Sequence, residues 1–246
     1  MMFKIVVVGG PCGPYIEKCL DSIVSQDDHG WTAAVVLDKH DDAPGKAMRK
    51  ASEGFTVAVN HETKRGALSN IIRAILLHGP APDDVIVTVD GDDWLYGCNV
   101  LSKVRAYYEA QPNLLLTYGS WIGYPDPNCN NNSAPYSRDE FKNGTLRKGP
   151  WRGSHLRTFK YKLWCRLKDS DLRNSSGKYY DCAWDCAFMW PMMEMAGYDR
   201  VKWISDKLYV YNRETPFNDE KMRSSEKTRN NLEITSRPAY QEVAFS

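Results

Sequence analysis

Three carboxylates stand within four residues at Asp90-Gly91-Asp92-Asp93, directly after the apolar run Val85-Ile86-Val87-Thr88-Val89. Like charges so close repel unless a proton or cation neutralises them, and oxygen ligands favour a hard divalent ion, Mg²⁺ or Mn²⁺. Such an ion commonly bridges carboxylates to substrate phosphates. The competing reading is an acidic turn that caps the following helix through Asp92 or Asp93. A further carboxylate, Asp185, lies in the apolar and aromatic tract Tyr179 to Ala196, beside Trp184, Phe188 and Met189. Desolvation in such surroundings raises a carboxyl pKa, which suits a general base; an N-cap or an arginine partner is the structural alternative.

These acids need elements to position them. The run Val85 to Val89, bounded by Pro80-Ala81-Pro82 and Gly91, reads as a buried strand of a parallel sheet. Its acids then fall at the carboxyl edge, where open α/β sheets bind ligands. Ile5 to Val8 makes an earlier strand, followed by Gly9-Gly10-Pro11-Cys12-Gly13-Pro14 and a helical pattern from Tyr15 to Val24. Gly9 and Gly10 let the backbone approach a ligand, and the helix start favours an anion, although a tight turn without ligand fits as well. The glycine spacing is not that of a dinucleotide fingerprint. Trp31 to Leu37 gives a second strand, ending in Asp38-Lys39-His40-Asp41-Asp42, and a helix is expected from about Ala43 to Ser52. Phe55 to Asn60 is a third strand, and Ala67 to Leu77 a helix. Strands alternating with helices imply an α/β fold with a doubly wound parallel sheet, nucleotide-binding in style.

In the second half, Val100 to Ala110 reads as a helix and Leu114 to Tyr118 as a strand, with a loop at Tyr124 to Tyr136 long enough to suggest function. The stretch from Lys142 to Arg173 gathers ten basic residues, among them Arg147, Arg152, Arg157, Lys160 and Lys162, interleaved with Trp151, Phe159, Tyr161 and Trp164. Pro191 is carried as a kink in a helix that ends at Gly197. Val201 to Ile204 and Leu208 to Tyr211 read as short strands, and the polar remainder as an arm or tail.

With 246 residues, 42% hydrophobic and 12% aromatic, the chain is globular and long enough for a sizeable core. The net charge of +1 decides little, but residues 1–120 hold 11 basic and 15 acidic side chains and the rest 21 and 16. The second half is therefore expected to face something anionic. Seven irregularly spaced cysteines argue for reduced thiols and a cytoplasmic setting. Cys182 and Cys186 lack a second pair for zinc and read as core. The first apolar run is too short for a signal peptide or membrane helix.

In order and spacing these motifs resemble glycosyltransferase family 2, inverting enzymes of GT-A fold that use nucleotide-sugars. The match is carried by Cys19-Leu20-Asp21-Ser22-Ile23, by Val87-Thr88-Val89-Asp90-Gly91-Asp92-Asp93, and by Ala183-Trp184-Asp185 before Met192-Met193-Glu194. The tract Arg152 to Phe159 and the ending Leu208 to Asn212 look like a subgroup of that family. The resemblance implies a mostly parallel, Rossmann-like sheet flanked by helices in a single domain with a C-terminal extension. Residues 1–120 would form the nucleotide-sugar half, 121–215 the acceptor side, and 216–246 an arm or tail. It assigns Asp38 to the uracil or ribose side of the donor, Arg65 to the neighbourhood of base and diphosphate, Asp90 to ribose and metal, Asp92 to the metal, and Asp185 to the catalytic base. Arg157 becomes a donor or acceptor contact and His155 a metal or phosphate ligand, with a structural histidine as the alternative. The implied cofactor is Mn²⁺ or Mg²⁺. The implied partners are a nucleoside-diphosphate sugar, UDP favoured, and a hydroxylated acceptor, a glycan favoured. Two other readings stand: a transferase acting on hydroxymethylated bases in DNA, for which the basic stretch would hold phosphates, and a non-catalytic sugar-nucleotide module.

Overall fold

The computed structural model describes residues 1–39, 54–215 and 223–245. The helix expected near 43–52, and His40, Asp41 and Asp42, lie outside the described residues. One eight-stranded sheet runs through the domain. Its first four strands are β1 (Phe3–Gly9), β2 (Trp31–Asp38), β3 (Phe55–His61) and β4 (Val85–Asp90). They pair in parallel in the order β3-β2-β1-β4. The apolar runs of β1, β2 and β4 follow from burial on both faces. Successive side chains of β1 alternate between two cores, Ile5 and Val7 entering one and Val6 and Val8 the other.

Helices α1 (Tyr15–Val24) and α2 (Ala67–His78) belong to this half. His78 ends α2, its Nε2 3.0 Å from the Ile5 carbonyl. Burial holds this imidazole below its ordinary pKa of 6.5. The unfolded chain thus binds the proton more readily, so stability present above pH 6.5 is lost as the pH falls below it. The melting temperature should drop between pH 7.5 and 5.5 by less in His78→Gln than in the wild type. Equal drops in thermal melts of both would contradict this.

Beyond β4 come β5 (Trp94–Leu95), α3 (Val100–Ala110), β6 (Leu116–Tyr124), α4 (Arg138–Lys142), β7 (Arg157–Lys160) and α5 (Tyr161–Trp164). They are followed by α6 (Trp184–Ala196), β8 (Val201–Asn212) and α7 (Ser224–Ser236). The order continues β4-β7-β6-β8-β5. β7 is antiparallel to both β4 and β6, β5 is antiparallel to β8, and β6 and β8 run parallel. The sheet is mixed, with a parallel majority.

Four expectations change here. β6 continues to Tyr124 rather than ending at Tyr118, because β8 pairs with it as far as Tyr124↔Asn212. The two short strands are one, β8, interrupted where Gly119 faces Ile204 but Ser120 faces Lys207. The basic stretch contains a buried strand, β7, in which Arg157 is 3% and Lys160 7% exposed. The expected tail contains α7, whose Ile234 is buried in the second core and whose Asn230 side chain donates to the Cys182 carbonyl. Several residues of the basic stretch are also ion-paired, most of them with carboxylates from elsewhere in the fold. Arg147 pairs with Glu194, Arg152 with Glu140, Lys160 and Lys162 with Asp83, and Arg173 with Asp169. No helix among the described residues is long and apolar enough to cross a membrane.

Candidate active site

A cavity of ≈ 770 Å³ opens across the carboxyl ends of the strands. Gly9, Gly10 and Asp38 lie at its β1/β2 side, Asp90, Asp92 and Asp93 after β4, and Trp121, Tyr211 and Asn212 on β6 and β8. His155, Arg157 and Asp185 also line it. Among the expected site residues Arg65 stands apart: its side chain is exposed and outside the lining, and it contributes its backbone instead.

Asp38 is 4% exposed, and its Oδ2 accepts from the backbone N–H of Arg65 at 2.8 Å and of Gly66 at 2.7 Å. Gly66 adopts φ +88°, and a Cβ there would stand 2.7 Å from the Asp181 carboxylate, so only glycine serves this turn. The other oxygen of Asp38 is buried without a hydrogen-bond partner. It is an acceptor ready for a donor group in the cavity.

The acidic turn after β4 is held by β8. The Asp90 N–H donates to the Tyr209 hydroxyl at 3.0 Å, and the Asn212 N–H to Asp93 Oδ1 at 2.7 Å. The Asn212 side-chain amide donates to the Asp92 carbonyl at 3.0 Å. Asp93 therefore caps no helix; Asn99 stands at the start of α3. Asp93 is 1% exposed, its Oδ2 lacks a hydrogen-bond partner, and burial, then Asp92 and Asp90, push its carboxyl well up. Such a group is neutralised by a proton or by a bound cation.

His155 faces this turn, with Nε2 3.9 Å from Asp90 Oδ2. Its ring stacks on Tyr209 at 4.4 Å and 10°. Burial, and then the charge of Arg157, hold the imidazole well below its usual range, leaving it neutral near pH 7. Asp90, Asp93 and His155 each offer a ligand atom, all within 4.8 Å of one another. Two carboxylates and a neutral imidazole suit a divalent ion such as Mn²⁺, and the unpartnered Asp93 oxygen fits that use. Asp92 lines the same cavity without belonging to this group of three.

Asp185 sits in the first turn of α6. Its Oδ2 accepts from Arg157 Nη2 at 2.8 Å, and its Oδ1 from the Cys186 N–H at 3.0 Å. The same Nη2 donates to His155 Nε2 at 3.1 Å, so one guanidinium nitrogen ties the imidazole to this carboxylate, and an ion taken up by Nε2 would displace that contact. This is the arginine pairing that the sequence leaves open for Asp185 beside the general-base role. Ala183, just before, carries φ +55°. Left-handed backbone costs a non-glycine residue about 1–2 kcal/mol, so Ala183→Gly should be about 1 kcal/mol more stable in urea unfolding. No gain would show that the turn carries no strain.

Sequence reasoning took Asp93 with the acidic turn but gave it no separate metal role, and it did not single out Trp121, Asn132, Asp181, Asn212, Arg223, Lys227 and Asn231 as cavity residues. The last three come from α7 and its start, an element invisible in a polar stretch.

The fold, with its parallel order β3-β2-β1-β4 and the acidic turn at the β4 edge, is of the GT-A type. No protein-family model matches the chain, and neither does any curated protein. Solved structures do match. S. aureus TarS residues 1–349 in complex with UDP-GlcNAc shares 16% identity over 98% of this chain and 68% of that one, with a TM-score of 0.65. A mannosyltransferase from Pyrobaculum calidifontis in complex with GDP-Man and Mn²⁺ shares 18% over 97% and 65%, at 0.59. M. tuberculosis glucosyl-3-phosphoglycerate synthase with Mn²⁺, UDP-glucose and phosphoglyceric acid shares 13% over 96% and 80%, at 0.60. The chain spans 37% and 60% of the length of two other TarS structures it matches.

Proposed function

We propose that the chain is a metal-dependent, inverting glycosyltransferase that moves a sugar from a nucleoside-diphosphate sugar, UDP favoured, to a hydroxyl acceptor, a glycan favoured. The observation that carries this reading is the cavity in which the Asp90, Asp93 and His155 group is joined through Arg157 to Asp185. Gly9, Gly10 and Asp38 form the donor end, Asp38 offering its unpartnered oxygen to the base or ribose. Asp90, Asp93 and His155 would hold Mn²⁺ or Mg²⁺, with Asp92 beside them. Such an ion neutralises charge developing on the leaving diphosphate. Arg157 orients Asp185, and Asp185 takes the acceptor's hydroxyl proton as that oxygen attacks the anomeric carbon from the face opposite the diphosphate. Inversion follows from this single displacement.

The test is release of nucleoside diphosphate from a panel of nucleotide-sugars with Mn²⁺, with and without hydroxylated acceptors. Release beyond that of Asp185→Asn supports the reading; no release beyond it removes the enzymatic reading. Tyr209 positions the metal group without belonging to it. Tyr209→Phe keeps the ring under His155 but leaves the Asp90 N–H without its acceptor. Loss of such a supporting contact weakens metal binding by roughly 10–100-fold. The Mn²⁺ concentration for half-maximal activity should rise accordingly while kcat at saturating Mn²⁺ changes little; an unchanged requirement would exclude this role.

A further inference from the structure

We propose that the β6/β8 end of the cavity is an acceptor subsite for an uncharged pyranose ring, walled by Trp151 and Tyr211 and edged by Asn132. The assignment rests on the donor reading above, which places the nucleotide at the opposite, β1/β2 end. Trp121 and Tyr211 lie 5.1 Å apart on neighbouring strands, and Tyr211 stacks in turn 5.8 Å from His155. The aromatic wall therefore runs directly to the metal-facing histidine.

Trp151 completes it from the loop before β7. Its indole lies over Gly153, where a Cβ would stand 2.6 Å from the ring, and packs edge-on to Trp190 at 4.9 Å. Both contacts fix the half-buried ring while it lines the cavity. The loop between β6 and α4 is strapped to this wall. Asn131 donates to the Trp121 carbonyl at 2.7 Å, and the Asn132 amide to the Trp151 carbonyl at 3.0 Å. Aromatic faces with side-chain amides at their edge match a sugar ring, which shows C–H groups on its faces and hydroxyls around its rim.

Charge favours a neutral occupant. Of the cationic residues lining the cavity, Arg157 is paired with Asp185 and Lys64 and Arg223 both with Asp181, while Lys39 and Lys227 share the lining with Asp38, Asp90, Asp92 and Asp93. A flipped nucleobase would also stack here, but it arrives on a polyanionic backbone that needs free cations. Arg147, Arg152, Lys160, Lys162 and Arg173 hold internal carboxylates instead.

Intrinsic tryptophan fluorescence of the full chain with UDP and Mn²⁺ bound tests the assignment. The probes are methyl glucoside, methyl galactoside, methyl N-acetylglucosaminide, glycerol 3-phosphate and an oligonucleotide carrying hydroxymethylcytosine. The expected result is saturable quenching by at least one pyranoside and none by the two anionic probes. Asn132→Ala and Trp151→Leu should each weaken that pyranoside about tenfold, with UDP affinity moving less than about threefold. Should Trp151→Leu fail to fold, the exposed Asn132 and the wild-type probe panel still decide. Quenching by glycerol 3-phosphate or the oligonucleotide alone overturns the proposal. So does a loss of UDP affinity equal to that of the pyranoside, or no pyranoside binding in a protein that binds UDP. A protein that binds no nucleotide refutes the donor reading instead, and pyranoside quenching without UDP then tests the subsite by itself.

Discussion

Asp185→Asn should lower the rate of sugar transfer by about a thousandfold, within the 10²–10⁴ that a positioned general base contributes. Asparagine retains the shape of the side chain and an oxygen for the Cys186 N–H, but it cannot take the acceptor proton. The change also removes the charge that faces Arg157, whose side chain is only 4% exposed. An uncompensated buried guanidinium destabilises the fold, so activity has to be normalised to folded protein by circular dichroism. With that done, the defect should lie in kcat, since the proposed role of Asp185 is in the bond-making step rather than in donor binding. A variant retaining a tenth of wild-type kcat would place the base elsewhere.

The largest stability effect should come from a pair remote from the cavity. Arg147 and Glu194 form a bidentate bridge with both bonds at 2.7 Å, and their side chains are 5% and 3% exposed. Arg147 also donates to the Ile234 carbonyl at 3.0 Å, and Glu194 accepts from the Tyr240 N–H at 2.9 Å. The pair thus fastens α6 to α7 and to the segment after it. Arg147→Met strands a buried carboxylate and should cost about 3–5 kcal/mol. Arg147→Met combined with Glu194→Met should recover most of that loss, because no charge then remains in the core. Denaturant unfolding of the three variants checks both statements. A single variant within about 1 kcal/mol of wild type would show that the bridge is energetically idle.

What the sequence reveals about this fold depends on where burial shows in one dimension. Strands β1, β2 and β4 are legible because both faces are buried, so their apolar runs are continuous. β7 is not, since Arg157 and Lys160 occupy it and their burial is compensated by Asp185 from α6 and by the Pro112 carbonyl and Asp83. Helix α7 carries little apolar periodicity; contacts of Asn230 and Ile234 with α6 and its surroundings settle it. In the site, the acidic turn, Asp38, His155 and Asp185 stand out by residue type. The distinction between Asp92 and Asp93 does not, because it depends on which side chain β8 covers: Asp93 is buried against Asn212, whereas Asp92 gives Asn212 only its carbonyl. Arg65 meets Asp38 through its backbone N–H, a contact that residue type does not reveal.

That distinction also frames the most direct test. Mn²⁺ is titrated calorimetrically into the UDP-bound wild type and into Asp90→Asn, Asp92→Asn, Asp93→Asn and His155→Ala. The account predicts one Mn²⁺ per wild-type chain, with binding lost in Asp90→Asn, Asp93→Asn and His155→Ala and only weakened in Asp92→Asn. Absence of Mn²⁺ binding to a wild-type chain that holds UDP, or binding that survives all of the first three substitutions, would contradict it.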